Sequence, residues 1–322
     1  MSRAEIGNIA AYAGKARPMK IAVAMLPLLW LGTAAAAPTC DTKGVHVQVL
    51  GSGGPELHGG RAASGNLVWI EGKPRVLVDI GGGAALRFAE AGAEVADLDV
   101  ILLTNLRADR TADLPALVAA SVFENRARPL PLYGPEGDRL MPSTVTFVRA
   151  LFDNTRGAYR HLGDFLSPLA KTAYKLQPYD VRERPVKIGA PRKRSEEVQV
   201  QAVFANDALR VSAVPVTNGA VPGLAFRVEA GGKSVVFSGD GGADAALERL
   251  AHGADILVAP HAAPDAAPAD LGRLAGQAGV KQLTLVHRMR ATSGKEDEML
   301  TAIRKGFAGP VTFADDLDCL DP

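Results

Sequence analysis

Two mixed β-sheets packed face to face with helices on both outer faces, an α/β fold of the αββα kind, is the architecture the sequence predicts. Three observations lead there. Hydrophobic residues make up 47 % of the 322 residues, enough to fill a sizeable core. The chain has two β-rich stretches, Val45 to Asp79 and Val198 to Ser238, and each is followed by apolar residues at helical spacing. A sheet that buries one face against another sheet needs helices to cover its second face.

At the N-terminus, Lys15, Arg17 and Lys20 precede the apolar run Ile21 to Gly32, which ends in the small residues Thr33 to Ala37. This is the pattern of a secretory signal peptide, and the run is too short to span a membrane. Translation is expected to start at Met1 or Met19, with cleavage near Ala36 because Pro38 hinders a cut just before it. Residues 1–36 are therefore expected to be removed and residues 37–322 to form a single periplasmic or secreted domain with no membrane anchor.

Within that domain Val45 to Leu50, Asn66 to Glu71 and Arg75 to Asp79 read as a β-meander with a turn at Gly72-Lys73-Pro74. Gly83 to Gly92 is helical in pattern, Val100 to Leu103 is a short buried strand, and Ala112 to Phe123 is again apolar at helical spacing, with a loop between strand and helix. Pro129 to Tyr133 reads as a strand and Ser143 to Phe152 as a helix capped by its serine. Residues 177–198 are rich in Pro, Arg, Lys and Glu and read as an exposed connector or insertion. The second half repeats the pattern, with strands at Val198 to Phe204, Leu209 to Val216, Gly223 to Glu229 and Ser234 to Ser238. Helices follow at Ala243 to His252 and Asp270 to Ala278, a strand lies at Ile256 to Ala259, and final strands at Leu283 to Val286 and Val311 to Phe313 flank a helix from Glu296 to Phe307.

The 36 basic and 35 acidic residues give a formal charge of +1, and loss of residues 1–36 leaves 32 basic and 34 acidic, or −2. That balance shows no electrostatic footprint for nucleic acid, so none is expected as a partner. The short cluster Arg192-Lys193-Arg194 reads as a solvated loop. The two cysteines, Cys40 and Cys319, lie at opposite ends of the mature chain. In an oxidising compartment they are expected to form a disulfide tying the termini together.

Six blocks, in order, carry a family resemblance: VLGSGGP, LVDIGGG, LLTNLRADRTADLPAL, VPVTNGAVPGLAFRVE, VVFSGD and LVHRMR. From about Val45 to its C-terminus the chain resembles the metallo-β-lactamase superfamily, and within it the ribonuclease-Z-like and arylsulfatase-like hydrolases. The resemblance implies the αββα fold and a dinuclear metal site built on Thr-His-x-His-x-Asp-His, a later His, the Asp of Ser-Gly-Asp and a last His. Transferred to this chain, the first-ion histidines fall on Asn105, Arg107 and Asn218. The second-ion ligands fall on Asp109, Arg110 and His287, and the bridging carboxylate on Asp240.

Zinc takes thiolate, imidazole or carboxylate donors, whereas a guanidinium stays protonated and only donates hydrogen bonds. The first ion's site is therefore expected to be lost, and Arg110, with Arg107, to occupy the vacated space and form bidentate pairs with Asp109 and Asp240 instead. The expected function is that of a hydrolase homologue with no cofactor, a pseudoenzyme whose pocket of Asn105, Arg107, Asp109, Arg110, Asn218, Asp240 and His287 accepts a small anionic ligand. The alternative is a mononuclear hydrolase of an ester, amide or phosphodiester, with one zinc, iron or manganese on Asp109, Asp240 and His287.

Other residues read more plainly. Asp79 is expected to support the glycine turn that follows it, and Asp109 and Asp240 are as compatible with accepting backbone N–H groups as with ligation. His261 is a lesser candidate for a replacement ligand. His46, His58, His161 and His252 read as surface or turn residues, and the aspartates of Ala314 to Cys319 as a solvated acidic tail.

Overall fold

The computed structural model describes residues 40–182, 199–216, 219–261 and 267–322. The expected signal peptide, the Arg192–Arg194 cluster, most of the expected connector and Asn218 lie outside those residues.

The first sheet begins as an antiparallel meander of β1 (Val45–Gly51), β2 (Gly65–Ile70) and β3 (Lys73–Ile80). It continues with parallel strands β4 (Val100–Leu102), β5 (Leu130–Pro135) and β6 (Leu176–Val181). The second sheet repeats this plan. Antiparallel β7 (Gln201–Ala205), β8 (Leu209–Val216), β9 (Gly223–Ala230) and β10 (Lys233–Phe237) lead into parallel β11 (Ile256–Pro260), β12 (Gln282–Val286) and β13 (Val311–Phe313). Short β14 (Cys319–Leu320) pairs with β1 and gives the first sheet its seventh strand.

Alternation along the strands sends one set of side chains between the sheets, where Val47, Val49, Val68, Val76 and Val78 meet Val211, Ala213, Phe226 and Phe237. The opposite set faces the helices. On the first sheet, Leu67, Leu77, Ile101 and Leu132 pack with Phe88 of α1 (Ala84–Glu90), Leu117 of α3 (Leu114–Ala120) and Val148 of α4 (Thr144–Phe152). On the second, Val236, Leu257 and Leu285 pack with Leu247 of α5 (Ala245–Ala251), Leu274 of α6 (Pro268–Gln277) and Ile303 of α7 (Glu296–Ile303). Two mixed sheets between helical layers is the expected αββα sandwich, and its parallel strands end on one side where loops can gather functional groups.

Several local expectations need correction. The segment after β4 is not all loop: α2 (Ala108–Thr111) forms a single helical turn that carries Asp109 and Arg110, and Pro115 at the start of α3 marks a separate helix. The side chain of Asn105 accepts from Arg107 N at 3.0 Å and fixes the entry to α2. The expected connector begins as strand β6, because Leu176 and Val181 are buried and Tyr179 stacks on Tyr133 with ring centroids 4.9 Å apart.

The acidic segment before Cys319 is not simply solvated. Asp316 accepts from Ser52 N at 2.9 Å, Ser52 Oγ at 2.7 Å and Ala62 N at 2.8 Å, and pairs with Arg87. It pins the glycine-rich loop after β1. His46 is buried rather than superficial, because it sits between the carbonyl of Lys43 and the carboxylate of Asp321. Cys40 and Cys319 are joined in a disulfide with Cα atoms 5.6 Å apart, which fastens β14 beside β1.

Candidate functional site

Five segments converge at the ends of strands in both sheets. Asp79 lies near the end of β3, Thr104 and Asn105 follow β4, Asp109 and Arg110 sit on α2, Asp240 follows β10, and His287 follows β12. Close backbone approach makes this possible. A side chain on Gly81 would collide with the carbonyl of Asp109, and one on Gly239 would meet Thr104. Asp79 and His287 themselves adopt left-handed backbone with φ of 61° and 60°. For non-glycine residues such conformations cost roughly 1–3 kcal/mol each and persist where the surroundings impose them.

Arg110 occupies the centre, with 3 % of its surface exposed. Its Nη2 donates to Asp240 Oδ1 and, at 3.0 Å, to His287 Nδ1. Its Nη1 donates to Asp79 Oδ2 at 3.0 Å, and its Nε faces Asp109 Oδ2 across 3.8 Å. Arg107 donates through Nε to Asp109 Oδ1 at 3.1 Å, and Asn105 Nδ2 donates to Asp240 Oδ2 at 3.1 Å. Arg110 does pair with Asp240, but through one oxygen and not in the expected bidentate fork, because Asn105 takes the other oxygen. Its pairing with Asp109 is a looser contact, because the second arm of the guanidinium goes to Asp79.

Asp79 was expected only to support a turn. Its carboxylate in fact accepts from Thr104 N and Thr104 Oγ1, both at 2.8 Å, and from Arg110, so it anchors the guanidinium. The sequence signal was available in LVDIGGG, where a charged residue ends a buried strand, but only the fold shows that Arg110 faces it.

Burial and charge set the protonation states. Burial raises the Asp79 carboxyl to about 6, against the opposing pull of Arg110. Burial, the largest single effect, would also raise Asp240, but the charge and hydrogen bond of Arg110, with His287 and Arg107, together outweigh it and the carboxyl lies below the usual range. Burial, then the charge of Arg110, lowers His287 to about 4. Because Arg110 can only donate, His287 Nδ1 is an acceptor and its neutral ring carries the proton on Nε2. Three carboxylates thus face one buried guanidinium and the partly exposed Arg107.

The donor atoms of Asp109, Asp240 and His287 lie within 4.8 Å of one another, so the expectation that no metal binds gains no support from donor chemistry. For two ions the residues do not fit. The transferred motif puts Asn105 and Arg107 at two first-ion positions and Arg110 at a second-ion position, and an amide offers a poor donor while a guanidinium offers none. For one ion the three donors suit zinc in type, but Arg110 is hydrogen-bonded to two of them and lies beside the third.

The remaining histidines do not join this group. His261 is buried after β11 with its ring edge-on to Phe313 at 5.3 Å, and neither ring nitrogen has a hydrogen-bond partner among the described residues. Burial, then Arg288, lowers it to about 4. His58, His161 and His252 are exposed.

Residues 75–291 match the family described as Beta-lactamase superfamily domain. The ribonuclease Z of Mycolicibacterium paratuberculosis is 30 % identical over 299 residues, covering 85 % of this chain and 96 % of the relative. That of Mycobacterium sp. strain KMS is 32 % identical over 266 residues and covers 81 % of each. Among solved structures, the metallo-β-lactamase fold protein YhfI of Bacillus subtilis is similar with a TM-score of 0.64 at 20 % identity, over 86 % of this chain and 99 % of that one. Human tRNase Z, short form, is similar with a TM-score of 0.62 at 18 % identity, over 86 % and 98 %. These ribonuclease relatives overturn the expectation that nucleic acid is no partner. Net charge sums the whole surface, whereas phosphate recognition depends on a few local cations. The chain belongs to the beta-lactamase superfamily, as a metallo-β-lactamase-fold hydrolase homologue similar to ribonuclease Z.

Proposed function

We propose that the protein is an exported member of this hydrolase superfamily that has given up dinuclear metal catalysis and binds phosphodiester ligands of the RNA class. The observation that carries the loss of chemistry is the Arg110 guanidinium among the carboxylates and imidazole that an ion would need. The ribonuclease Z relatives support the ligand class. So does Arg107, whose side chain is 39 % exposed over an otherwise buried cluster and can exchange Asp109 for a phosphate oxygen. Export is supported by the basic and apolar pattern of residues 15–37.

A second reading is a mononuclear hydrolase of phosphodiesters, favoured by the convergence of Asp109, Asp240 and His287 and by the relatives' names. Three protein donors are the usual number at a catalytic zinc. The ion would act as a Lewis acid on the phosphoryl group, and Arg110 would have to withdraw. One experiment separates the two: RNA binding and RNA cleavage, each with and without chelator. Chelator-insensitive binding that weakens in Arg107→Ala, with no cleavage, supports the first reading. Chelator-sensitive cleavage lost in Asp240→Asn replaces it with the second.

A further inference from the structure

We infer that the Arg110 guanidinium is a fixed internal substitute for a metal ion, and that this one side chain keeps zinc out of an otherwise competent donor set. The inference rests on the reading that dinuclear catalysis is lost and narrows its cause to a single residue.

The geometry is that of a held cation. The Asp109, Asp240 and His287 donors cluster within 4.8 Å, and the guanidinium hydrogen-bonds Asp240 and His287 through Nη2 while its Nε faces Asp109 across 3.8 Å. A fourth contact locks it: Asp79 holds Nη1, and Thr104 in turn holds Asp79 through both its backbone and its hydroxyl. Withdrawal of Arg110 would leave Asp79 and Asp240, which are 1 % and 6 % exposed, without that counter-charge. An ion entering with Arg110 in place would meet a fixed positive charge at hydrogen-bond distance from two of its own ligands and 3.8 Å from the third, with the His287 Nδ1 lone pair already engaged. The cation is therefore not a neighbour of a metal site but its occupant. Substituting it should free three donors that the fold already holds together.

The test uses zinc itself, with metal content and melting temperature as readouts, so no enzymatic activity is needed. Wild-type protein, Arg110→His, and Arg110→His combined with Asp240→Asn are purified without a metal-binding tag and titrated with buffered zinc. The wild type should retain no stoichiometric zinc, and its melting temperature should not move. Arg110→His should take up about one zinc per chain, at least about a hundredfold more tightly than wild type, and melt higher when loaded. Adding Asp240→Asn should abolish that response. Arg110→Ala with Asp79→Asn, which removes one cation and one carboxylate together, provides a second test background should the histidine variant fold poorly. Wild-type protein that binds one zinc, or folded Arg110 variants that ignore it, would overturn the inference. Absence of RNA binding alongside the expected zinc pattern would instead defeat the proposed ligand and leave the inference standing.

Discussion

Removing the Arg110 side chain measures how far the fold depends on it. In Arg110→Ala, Asp79, Asp240 and His287 each lose a hydrogen bond, and among the described residues the partly exposed Arg107 is the cation still paired with the cluster's carboxylates. Breaking a buried ion pair by deleting one partner typically costs about 3–5 kcal/mol. At about 2–4 °C per kcal/mol for a domain of this size, the melting temperature should fall by roughly 6–20 °C. Thermal unfolding followed by circular dichroism, with chelator present so that adventitious zinc cannot compensate, measures the change. Lys73→Ala is the matched control: it removes an exposed pair with Asp97 at 3.1 Å, where about 1 kcal/mol or less is expected. Adding Asp79→Asn to Arg110→Ala should restore part of the loss, because it removes one uncompensated carboxylate. A loss below about 1 kcal/mol for Arg110→Ala would refute the account of Arg110 as the counter-ion of the site.

Three further outcomes are expected. His261 and His287 are held to about 4 from 6.5, so between those values the unfolded chain binds protons that the folded chain refuses, and stability falls as pH falls. Asp79, raised to about 6 from 3.8, contributes with the opposite sign. His261→Leu should therefore lose less melting temperature than wild type between about pH 7 and 4.5, and parallel curves would rule His261 out as a contributor. Replacing Cys40 and Cys319 with serine opens a link across 279 residues and should cost roughly 5–6 kcal/mol in the chain-entropy model, seen as a lower denaturant midpoint. An unchanged midpoint would mean that β14 docks without covalent help. Arg126 is 1 % exposed and donates to the carbonyls of Val95, Ala96, Leu98 and Pro129, so Arg126→Met should destabilise by about 3 kcal/mol or more, against a negligible effect if those carbonyls find water.

The two sheets, the helices between and after them, and the order of the six blocks were legible in the sequence because periodicity two and periodicity 3.6 are local properties of the chain. That Asn105, Arg107 and Arg110 stand where the resembled family has metal ligands was legible only through that resemblance; what residue type alone added is that an amide is a poor metal donor and a guanidinium none. Elements set by long-range contact were not. Strand β14 is two residues long and exists because Cys319 is tied to Cys40 and Leu320 pairs with Val47. Asp316 is ordered by Ser52 and Ala62, residues more than 250 positions away.

The site shows the same division. Sequence determined that Asp109, Asp240 and His287 remained as potential donors and that a guanidinium stood among the motif positions. Only the tertiary structure decided which carboxylates Arg110 would meet. Asp79 belongs to the cluster because β3 and β4 run side by side and deliver Asp79, Thr104 and α2 to the same ends, with Asp79 held at a φ of 61°. Sequence spacing could not reveal that contact, because it arises from strand register and backbone conformation, not from any periodicity along the chain.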